Sequence, residues 1–272
     1  MKKLDIKEIQ FEEKEILKET IHFLNQNNIK YYIWAGTLLG AIRHKGFIPW
    51  DDDIDICIVR SEYEKLLKII KKNGKSINSK LQFIGFEIDK EMPKFPYLKV
   101  INKSIKLDQP EKIDKYLWID IFPLDFVDEN VDAFWKKIQK KRKRYYYFRY
   151  SNFEYFYKSG NFITRIIKKL IYPVLKRYSL DKITQKYIDF CKQNRCTDKL
   201  SNLIWGFDNR NSYVDINKLE DFQYEFEDLK VNGMKDYDYV LTNLYGKDYM
   251  IPPPVEKRKT HCFKAWRVVD EK

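Results

Sequence analysis

The sequence predicts a mixed α/β (α+β) fold, in which a mixed β-sheet core is followed by a helical second half. Three patterns lead to this prediction. Apolar residues recur at helical spacing from about Lys7 to Asn28. The segment Asp53–Val59 combines alternating side chains with β-branched residues, which is typical of a strand. After Asp125 the apolar spacing becomes mainly helical, so we expect the helices of the second half to begin there.

The other elements follow from local signals along the chain. Tyr31–Trp34 is an apolar run that favours a short buried strand, and Gly36 breaks it before a short helix at 37–43. Ser61 is expected to cap the next helix, which should end at Gly74. The remaining predicted strands are 81–88, 97–101 and 117–122, and the remaining predicted helices are 130–148, 162–178, 181–194 and 236–245.

Composition indicates a folded protein of the reducing cytoplasm. The chain has 272 residues, of which 44% are hydrophobic, so a sizeable core can form. We find no signal-peptide pattern, and no stretch reaches the roughly 20 apolar residues of a membrane span. Cys191, Cys196, His261 and Cys262 are zinc-ligand types, but the absence of Cys-x2-Cys spacing favours reduced thiols. His261 is expected to be structural, with a substrate contact as the alternative.

The positive charge is concentrated in one segment. Residues 136–177 carry fourteen Lys or Arg and one acid, Glu154, so they account for +13 against +12 for the whole chain. The same segment is rich in aromatic residues. Basic residues with aromatic neighbours suit an anionic membrane or glycolipid surface, and they also suit a single-stranded nucleic acid. A helical region with an aromatic core and a solvated basic face is the third interpretation.

Acidic residues interrupt two otherwise apolar strands. In a strand Asp53 and Asp55 would point to the same face, about 7 Å apart. Asp120 interrupts the predicted strand 117–122 in the same way. Carboxylates placed together repel each other unless a cation lies between them, and Mg²⁺ prefers such oxygen ligands and can bridge to phosphates. The pattern therefore predicts a Mg²⁺ site, with Mn²⁺ as the alternative ion and an exposed acidic strand end as the alternative interpretation.

Four sequence blocks closely resemble the LicD family, and together they span residues 34 to about 261. The first block is long and specific. The blocks are Trp34–Ile56, Trp118–Asp125, Leu244–Met250 and Pro252–Arg258. The resemblance implies a nucleotidyltransferase-like core, and it implies transfer of phosphocholine from CDP-choline to a sugar hydroxyl of a bacterial surface glycan. Relatives resembling fukutin transfer ribitol phosphate from a CDP donor instead.

The resemblance also assigns roles to individual residues. The superfamily pattern of a turn, an Asp-x-Asp strand and a third acid corresponds to Gly36 and Thr37, to Asp53 and Asp55, and to Asp120. Thr37 replaces the usual Gly or Ser, and the interval between turn and acids is longer than in many superfamily members. We expect the three acids to be catalytic and to hold the metal. Gly36 would let the backbone approach a phosphate, and a simple turn glycine is the alternative.

Two basic clusters are candidates for binding the donor phosphates. Arg43, His44 and Lys45 lie between the turn and the acids. Lys257 and Arg258 follow a stiff run of three prolines that could hold a cationic clamp in place. The alternatives are a solvated basic loop and a surface tail, respectively.

A choline head group would need aromatic ring faces around its quaternary ammonium. Candidates for such an aromatic box are Trp34, Trp50, Tyr97 and Trp118. With 16% aromatic residues in the chain, rings near the site are expected whatever the substrate.

The predicted function is Mg²⁺-dependent transfer of phosphocholine, or a similar phospho-alcohol, from a CDP-linked donor with release of CMP. The expected acceptor is a sugar hydroxyl of a cell-surface glycan, such as lipopolysaccharide, teichoic acid or capsule, or of a lipid-linked precursor. The alternatives are a phospho-alditol or nucleotidyl transferase of the same fold, and a non-catalytic protein that binds an anionic polymer or nucleic acid. No nucleic-acid partner is expected.

We predict three regions along the chain. Residues 1–128 form the nucleotidyltransferase-like catalytic core, and 129–235 form a basic, aromatic-rich helical region. Residues 236–272 supply a last helix and the proline-rich segment, which returns to the active site. The protein is expected to be cytoplasmic, with peripheral contact to the inner face of the membrane through 136–177 as a further expectation.

Overall fold

A computed structural model describes residues 2–89, 95–108, 115–150, 161–193, 195, 197–205, 212–258, 260–261 and 263–268. Within these residues it contains seven α-helices and eleven β-strands. The helices are α1 (Ile6–Gln26), α2 (Ala35–His44), α3 (Arg60–Asn73), α4 (Val131–Tyr150), α5 (Phe162–Lys176), α6 (Leu180–Cys191) and α7 (Tyr237–Tyr245). The strands are β1 (Lys2–Lys3), β2 (Tyr32–Ile33), β3 (Asp55–Val59), β4 (Leu81–Ile84), β5 (Leu98–Asp108), β6 (Tyr116–Phe126), β7 (Lys199–Ser201), β8 (Val214–Asp215), β9 (Asp221–Phe226), β10 (Leu229–Met234) and β11 (Lys264–Arg267).

Nine of these strands form one mixed sheet, which confirms the predicted fold class. The main order is β1-β11-β5-β6-β3-β2; β4 also pairs with β5, while β7 pairs with both β6 and β8. The β3 and β6 strands run parallel, and the other pairs in this sheet are antiparallel. Because a parallel pair needs a crossover connection, the chain passes through α3, β4 and β5 between β3 and β6.

The core forms where helices cover the sheet. Helix α1 begins with Asp5 as its N-cap, whose side chain accepts a hydrogen bond from the Glu8 backbone N–H in a capping box. Its buried residues include Ile16, Leu17 and Leu24, and it packs on β5 and β6. Helices α2 and α3 pack against β3. Strands β3, β5 and β6, which form the central part of the sheet, are therefore each packed against at least one helix.

The predicted cap at Ser61 is wrong. Helix α3 starts at Arg60, directly after β3, and its N-cap Val59 makes no side-chain hydrogen bond. The Arg60 guanidinium lies in the core instead and forms two hydrogen bonds with the Asp125 carboxylate, at 2.7 and 2.8 Å. Burial lowers the pKa of Arg60, but Asp125 more than offsets this and raises the pKa above its ordinary value. The strand-to-helix junction is thus fixed by a buried ion pair that joins it to β6.

The region 129–235 is not helical throughout. Besides α4, α5 and α6 it contains β7, β8 and a hairpin formed by β9 and β10. The hairpin packs against β2, and Phe226 contacts Phe47 with ring centroids 4.9 Å apart. Apolar residues alternate along β9, at Phe222, Tyr224 and Phe226, and this period-2 pattern is a strand signal within a region that was expected to be helical.

The basic segment 136–177 is divided between two helices. Residues 151–160 of it lie outside the described residues. Helix α4 buries Phe134, Ile138 and Tyr145 and packs against α6, whereas most residues of α5 are exposed. Within the described residues, no helix combines the length and apolar character needed to cross a membrane.

Candidate active site

The parallel pairing of β3 and β6 brings two of the predicted acids side by side. Asp55, the first residue of β3, is the register partner of Asp120 in β6. On the other side of β6, Lys99 of β5 is the antiparallel partner of Asp120. The Lys99 Nζ atom lies 3.0 Å from the Asp120 Oδ1 atom, and both side chains are buried. The three strands therefore carry a row of two carboxylates and one ammonium across the sheet.

Asp53 is close to this row but does not belong to the strand. Strand β3 begins at Asp55, so the alternation argument does not extend to residues 51–53, which lie in the preceding loop. Asp53 is close enough to Asp51 for each carboxylate to affect the pKa of the other. The loop still places Asp53 beside the row, because Asp53 and Asp120 both act on the ionisation of Asp55.

The site has more carboxylates than neighbouring cations. Burial, followed by repulsion from Asp53, raises the pKa of Asp51 to about 8. Burial raises the pKa of Asp53, although His261 opposes this. Burial together with repulsion from Asp53 and Asp120 raises the pKa of Asp55 well above its ordinary value. A divalent cation would relieve this crowding, and an oxygen-rich set of ligands suits Mg²⁺.

The C-terminal segment reaches the acids through His261. Its backbone N–H donates to both Asp52 carboxylate oxygens at 3.0 Å, and its Nδ1 atom lies 2.9 Å from Asp52 Oδ1. The His261 Nε2 atom is 3.7 Å from Asp53 Oδ2. The hydrogen bond to Asp52, opposed by burial, raises the pKa of His261 to about 9. Asp52, Asp53 and His261 can each direct one ligand atom to a common point, since these atoms lie within 4.8 Å of one another.

These contacts change the importance of two residues. From sequence, His261 was expected to be structural first, whereas the structure places it directly on the acidic loop. Asp52 was one of four neighbouring acids, and the structure makes it the buried partner that holds His261. In the sequence, His261 comes seven residues after a run of three prolines, and no spacing pattern connects it with Asp52 and Asp53. Its contact with the acidic loop could therefore not be predicted from the sequence. Neighbouring Cys262, like Cys196, lies outside the described residues.

Glu13 is an acid near the site that the sequence did not single out. It lies on the buried face of α1 and is 1% exposed. Burial, followed by repulsion from Asp53, Asp52, Asp51 and Asp120, raises the pKa of Glu13 well above its ordinary value. Among the described residues, its Oε2 atom has no hydrogen-bond partner. The sequence signal was a charged residue on the apolar stripe of a helix, four positions after Ile9.

Lys99 is the second functional residue that sequence reasoning missed. Its ammonium lies 4.2 Å from the centre of the Trp118 ring and 4.4 Å from the centre of the Phe95 ring. An ion pair with Asp120 and these ring faces compensate for its burial. The signal available in the sequence was a single lysine inside the apolar run that starts at Leu98.

The predicted turn residues contact the acids directly. The Thr37 Oγ1 atom accepts a hydrogen bond of 2.8 Å from the Asp55 backbone N–H, so Thr37 fixes the start of β3. Gly36 lies against Asp51, because a Cβ atom at Gly36 would be 2.8 Å from Asp51 Oδ2. The close approach at Gly36 is thus to a carboxylate of the chain itself, and the proposed phosphate contact at Gly36 stays a prediction.

The first basic cluster is divided by the structure. The Arg43 Nη1 atom donates to the Tyr249 carbonyl oxygen at 2.8 Å, and Arg43 Nε donates to His44 Nε2 at 2.9 Å. Arg43 is near enough to Asp51 for that carboxylate to oppose the lowering of its pKa by burial. Lys45 is exposed and left-handed at φ 61°, where it ends α2, and its carbonyl oxygen accepts from Glu227 N–H. Arg43 therefore contacts the C-terminal segment and lies near Asp51, and His44 contacts Arg43, whereas the Lys45 backbone is bonded to the turn of the hairpin.

The second basic cluster also has two different members. The Arg258 guanidinium stacks over the Trp50 ring at 3.9 Å, and its Nε atom donates to the Pro253 carbonyl oxygen at 3.2 Å. This contact holds the proline-rich segment against the loop that leads to the acids. Lys257 is exposed in a short 3₁₀ turn. The structure therefore connects Arg258, but not Lys257, to the acid-bearing loop.

Comparison with known proteins agrees with this architecture. Residues 28–157 match the family model described as LicD/FKTN/FKRP, nucleotidyltransferase domain. Residues 28–157 are therefore similar to the LicD family over its nucleotidyltransferase domain, in the part of the chain that contains β2 to β6. The matched residues include Gly36, Thr37, Asp53, Asp55 and Asp120, so the sequence resemblance to that family is confirmed.

Individual relatives extend the comparison over the whole chain. A Haemophilus influenzae protein named lipopolysaccharide cholinephosphotransferase LicD is 28% identical over 269 residues, which cover 96% of this chain and 97% of that protein. Two uncharacterised proteins match over shorter stretches. The Rickettsia typhi protein is 46% identical over 63 residues, which cover 22% of this chain and 20% of that protein. The Rickettsia prowazekii protein is 50% identical over 56 residues, or 21% of each chain.

Proposed function

We propose that this chain is a Mg²⁺-dependent transferase acting on a CDP-linked donor. It would move phosphocholine, or a similar phospho-alcohol, to a sugar hydroxyl of a bacterial cell-surface glycan or a lipid-linked precursor, with release of CMP. The observation that carries the proposal is the convergence of Asp53, Asp55 and Asp120 at the parallel β3–β6 pair of a domain similar to the LicD family. The name of the Haemophilus influenzae relative supports phosphocholine as the transferred group. Because the proposed donor is a nucleotide, we expect the transfer reaction to take place on the cytoplasmic side of the membrane.

The residues at the site fit a divalent cation. Asp53, Asp55 and Asp120 would hold Mg²⁺, or Mn²⁺ with the same oxygen ligands, because these carboxylates lie together at the β3–β6 pair and repulsion from Asp53 and Asp120 adds to burial in raising the pKa of Asp55. When bound, the cation supplies neutralisation of the charge on the donor phosphate oxygens. Lys99 already pairs with Asp120 and contributes one positive charge to the same row.

The proposed reaction is an in-line displacement at the distal phosphorus of the donor. The oxygen of the acceptor hydroxyl forms a bond to this phosphorus, and the bond from phosphorus to the oxygen of CMP breaks with its electron pair. The hydroxyl proton passes to the Asp120 carboxylate, which Lys99 orients through the contact at 3.0 Å. Arg43 and Arg258 lie on the two segments that flank the acidic loop, where guanidinium groups can orient phosphate oxygens.

One observation favours a second candidate for the transferred group. Of the aromatic candidates for a choline box, Trp118 has Lys99 over its ring and Trp50 has Arg258 over its ring. A quaternary ammonium would compete with these cations for the same ring faces. Transfer of a phospho-alditol such as ribitol or glycerol phosphate would need no such face, so it is the runner-up within the same reaction.

The test is a panel of CDP-choline, CDP-ethanolamine, CDP-glycerol and CDP-ribitol, each with Mg²⁺ or with EDTA and with CMP release as the readout. We expect release from one CDP-alcohol, dependent on Mg²⁺ and faster with an acceptor glycan. Asp55→Asn and Asp120→Asn should lower the rate by at least about 100-fold. Asp189→Asn is the matched control on an exposed carboxylate of α6 and should leave the rate unchanged.

Two outcomes would overturn the proposal. Pyrophosphate release from a nucleoside triphosphate, with no CMP from any CDP-alcohol, would indicate a nucleotidyltransferase. Salt-dependent binding of DNA or RNA, without turnover of any nucleotide donor, would indicate the non-catalytic polymer binder.

A further inference from the structure

The two helices of the basic segment are built for different surroundings. Helix α4 uses its aromatic residues in the core: Phe134 stacks on Phe190, and Tyr145 stacks on Tyr187, with ring centroids 5.8 and 5.0 Å apart. Phe134 and Tyr145 are buried, and the Lys137 and Lys141 ammonium groups of α4 lie 5.3 and 4.6 Å from the centre of the Phe190 ring of α6. The aromatic and basic composition of α4 is therefore explained by packing against α6.

Helix α5 has no such explanation. Phe162 is 77% exposed, Ile163 is 67% exposed and Leu170 is 72% exposed. Ile166 and Ile167 are also exposed. Such large apolar side chains in one short helix form a contiguous exposed patch, which in soluble proteins marks an interaction surface more often than a solvated one.

The apolar residues of α5 lie on one side of the helix. At 100° per residue, all five positions fall within about 140° of arc. The cations Arg165, Lys168 and Lys169 fall on the other side. Between Phe162 and Lys176 the sequence contains no Asp or Glu. The helix is thus amphipathic, with an exposed apolar face, basic residues as its only charged residues, and no acidic residue.

The dimensions of α5 favour an orientation along a surface. It has 15 residues, so it is about 22 Å long at 1.5 Å per residue, whereas the hydrocarbon core of a bilayer is about 30 Å thick. Three cations on one face would also be unfavourable inside that core. A helix of this length and charge can place its apolar face in the headgroup boundary while its cations remain in water.

We propose that α5 docks on the surface of an anionic lipid bilayer, with its apolar face towards the acyl chains and the exposed residues Arg165 and Lys169 at the lipid phosphates. Charge selects this occupant over a second copy of the chain, because two copies of α5 would bring like charges together. This docking would hold the enzyme at the bilayer, where lipid-linked acceptors are found. It does not depend on the proposed reaction, since membrane docking can be measured without any donor.

The first experiment is flotation of the full chain with vesicles of pure phosphatidylcholine or of phosphatidylcholine with 30% phosphatidylglycerol. We expect binding to the anionic vesicles that weakens as salt rises from 50 to 500 mM, and much weaker binding to the neutral vesicles. We expect both the cations and the apolar side chains of α5 to contribute to vesicle binding, so neither should be sufficient alone.

A double variant and a control variant test whether vesicle binding depends on the apolar face of α5 or on any exposed apolar side chain. Ile163→Asn with Leu170→Asn should lower the partition coefficient at least about tenfold, because two large apolar side chains no longer enter the boundary. The matched control is Phe11→Asn on α1, where an exposed aromatic side chain is removed far from α5 in sequence, and it should bind like the native chain. All three positions are exposed, so circular dichroism and urea unfolding should show folded proteins of similar stability.

A second pair of variants tests whether vesicle binding depends on where the positive charge lies or only on the net charge of the protein. Arg165→Gln with Lys169→Gln should reduce binding to anionic vesicles several-fold. Lys136→Gln with Lys140→Gln removes the same charge from exposed positions of α4 and should have a clearly smaller effect.

Three results would overturn the proposal. The first is an absence of flotation of the native chain with anionic vesicles at 50 mM salt. The second is equal flotation of native chain and the Ile163→Asn, Leu170→Asn variant. The third is sedimentation showing a native dimer that this variant converts to monomer without any vesicle binding, which would identify a second copy as the occupant of the face.

Discussion

Replacing Asp55 by Asn should change stability and activity in opposite directions. The amide keeps the shape of the side chain but removes its negative charge from the row that contains Asp120 and Lys99. We expect a higher free energy of unfolding for the metal-free protein, and loss of transfer. A residue that only supports the fold would not show this combination.

The expected gain in stability can be worked out from the position of Asp55. Side chains directly opposite each other on neighbouring strands are about 5 Å apart, so repulsion from Asp120 is about 3 kcal/mol at an effective dielectric constant of 20. The Cα atoms of Asp53 and Asp55 are at most about 7 Å apart, and two like charges at about that separation repel by about 2 kcal/mol. Lys99 offsets part of this sum, since its Nζ atom is 3.0 Å from Asp120. We therefore expect the variant to gain about 2 kcal/mol.

The gain should depend on pH in a defined direction. The pKa of Asp55 is raised in the folded protein above its ordinary value of 3.8, by burial and by its acidic neighbours. An acid of this kind destabilises the fold at pH values above its unfolded pKa. The native protein and the variant should therefore be similar in stability near pH 3.5 and diverge as pH rises towards neutrality.

The assay is urea unfolding in EDTA, followed by the same measurement in Mg²⁺. Mg²⁺ should stabilise the native protein through preferential binding to the folded state, and the Asp55→Asn variant should respond much less. A variant that is less stable than the native protein in EDTA at pH 7.5 would refute the electrostatic reasoning. Retention of more than a tenth of the native turnover would refute the role of Asp55 in the site.

Three further predictions concern the frame of the site. Asp125→Asn should lower the free energy of unfolding by about 3 kcal/mol, because it leaves the buried Arg60 with only the more exposed Glu64 carboxylate, 3.6 Å away, as its counter-charge; urea unfolding measures this, and a loss below about 1 kcal/mol would contradict it. Lys99→Met should reduce turnover at least about tenfold and Lys99→Arg should restore part of it, whereas equal activity of all three proteins would exclude a role for the ammonium. Gly40→Ala should destabilise by about 1–3 kcal/mol, because its Cβ atom would lie 2.4 Å from a backbone oxygen. Gly36→Ala should alter stability by less than about 1 kcal/mol, because its Cβ atom would meet only a movable carboxylate, and equal losses for the two glycines would contradict this comparison.

Helices and strands could be predicted from the sequence where the pattern that specifies them lies within a few neighbouring residues. Apolar spacing predicted α1 and α4 to α7 within a few residues of their observed bounds, and the apolar runs predicted β3 and β6. The end of α3 at Gly74 was also predicted, since a glycine after a helix satisfies the C-cap at little cost. The start of α3 was not, because Arg60 is fixed by Asp125, 65 residues away, and a capping rule sees only neighbouring residues.

The acidic residues of the candidate site could be predicted from the sequence, whereas the residues that surround them could not. Asp55 and Asp120 each interrupt an apolar strand, which is a visible anomaly, and the resemblance connected them. Lys99 and Glu13 interrupt apolar patterns in the same way, but a lone charge at one position gives no indication of its partner. His261 could not be assigned, because its contact with the acidic loop depends on the path of the chain after β10 and α7.

The hydrogen bonds between Asp52 and His261 join residues that are 209 positions apart. The acidic loop is therefore fully enclosed only when the segment leading to β11 has docked beside β5. Closing a loop of this length costs conformational entropy, so we expect this contact to form after the core strands have paired. We therefore expect the acids to remain accessible to metal and solvent until the C-terminal segment docks.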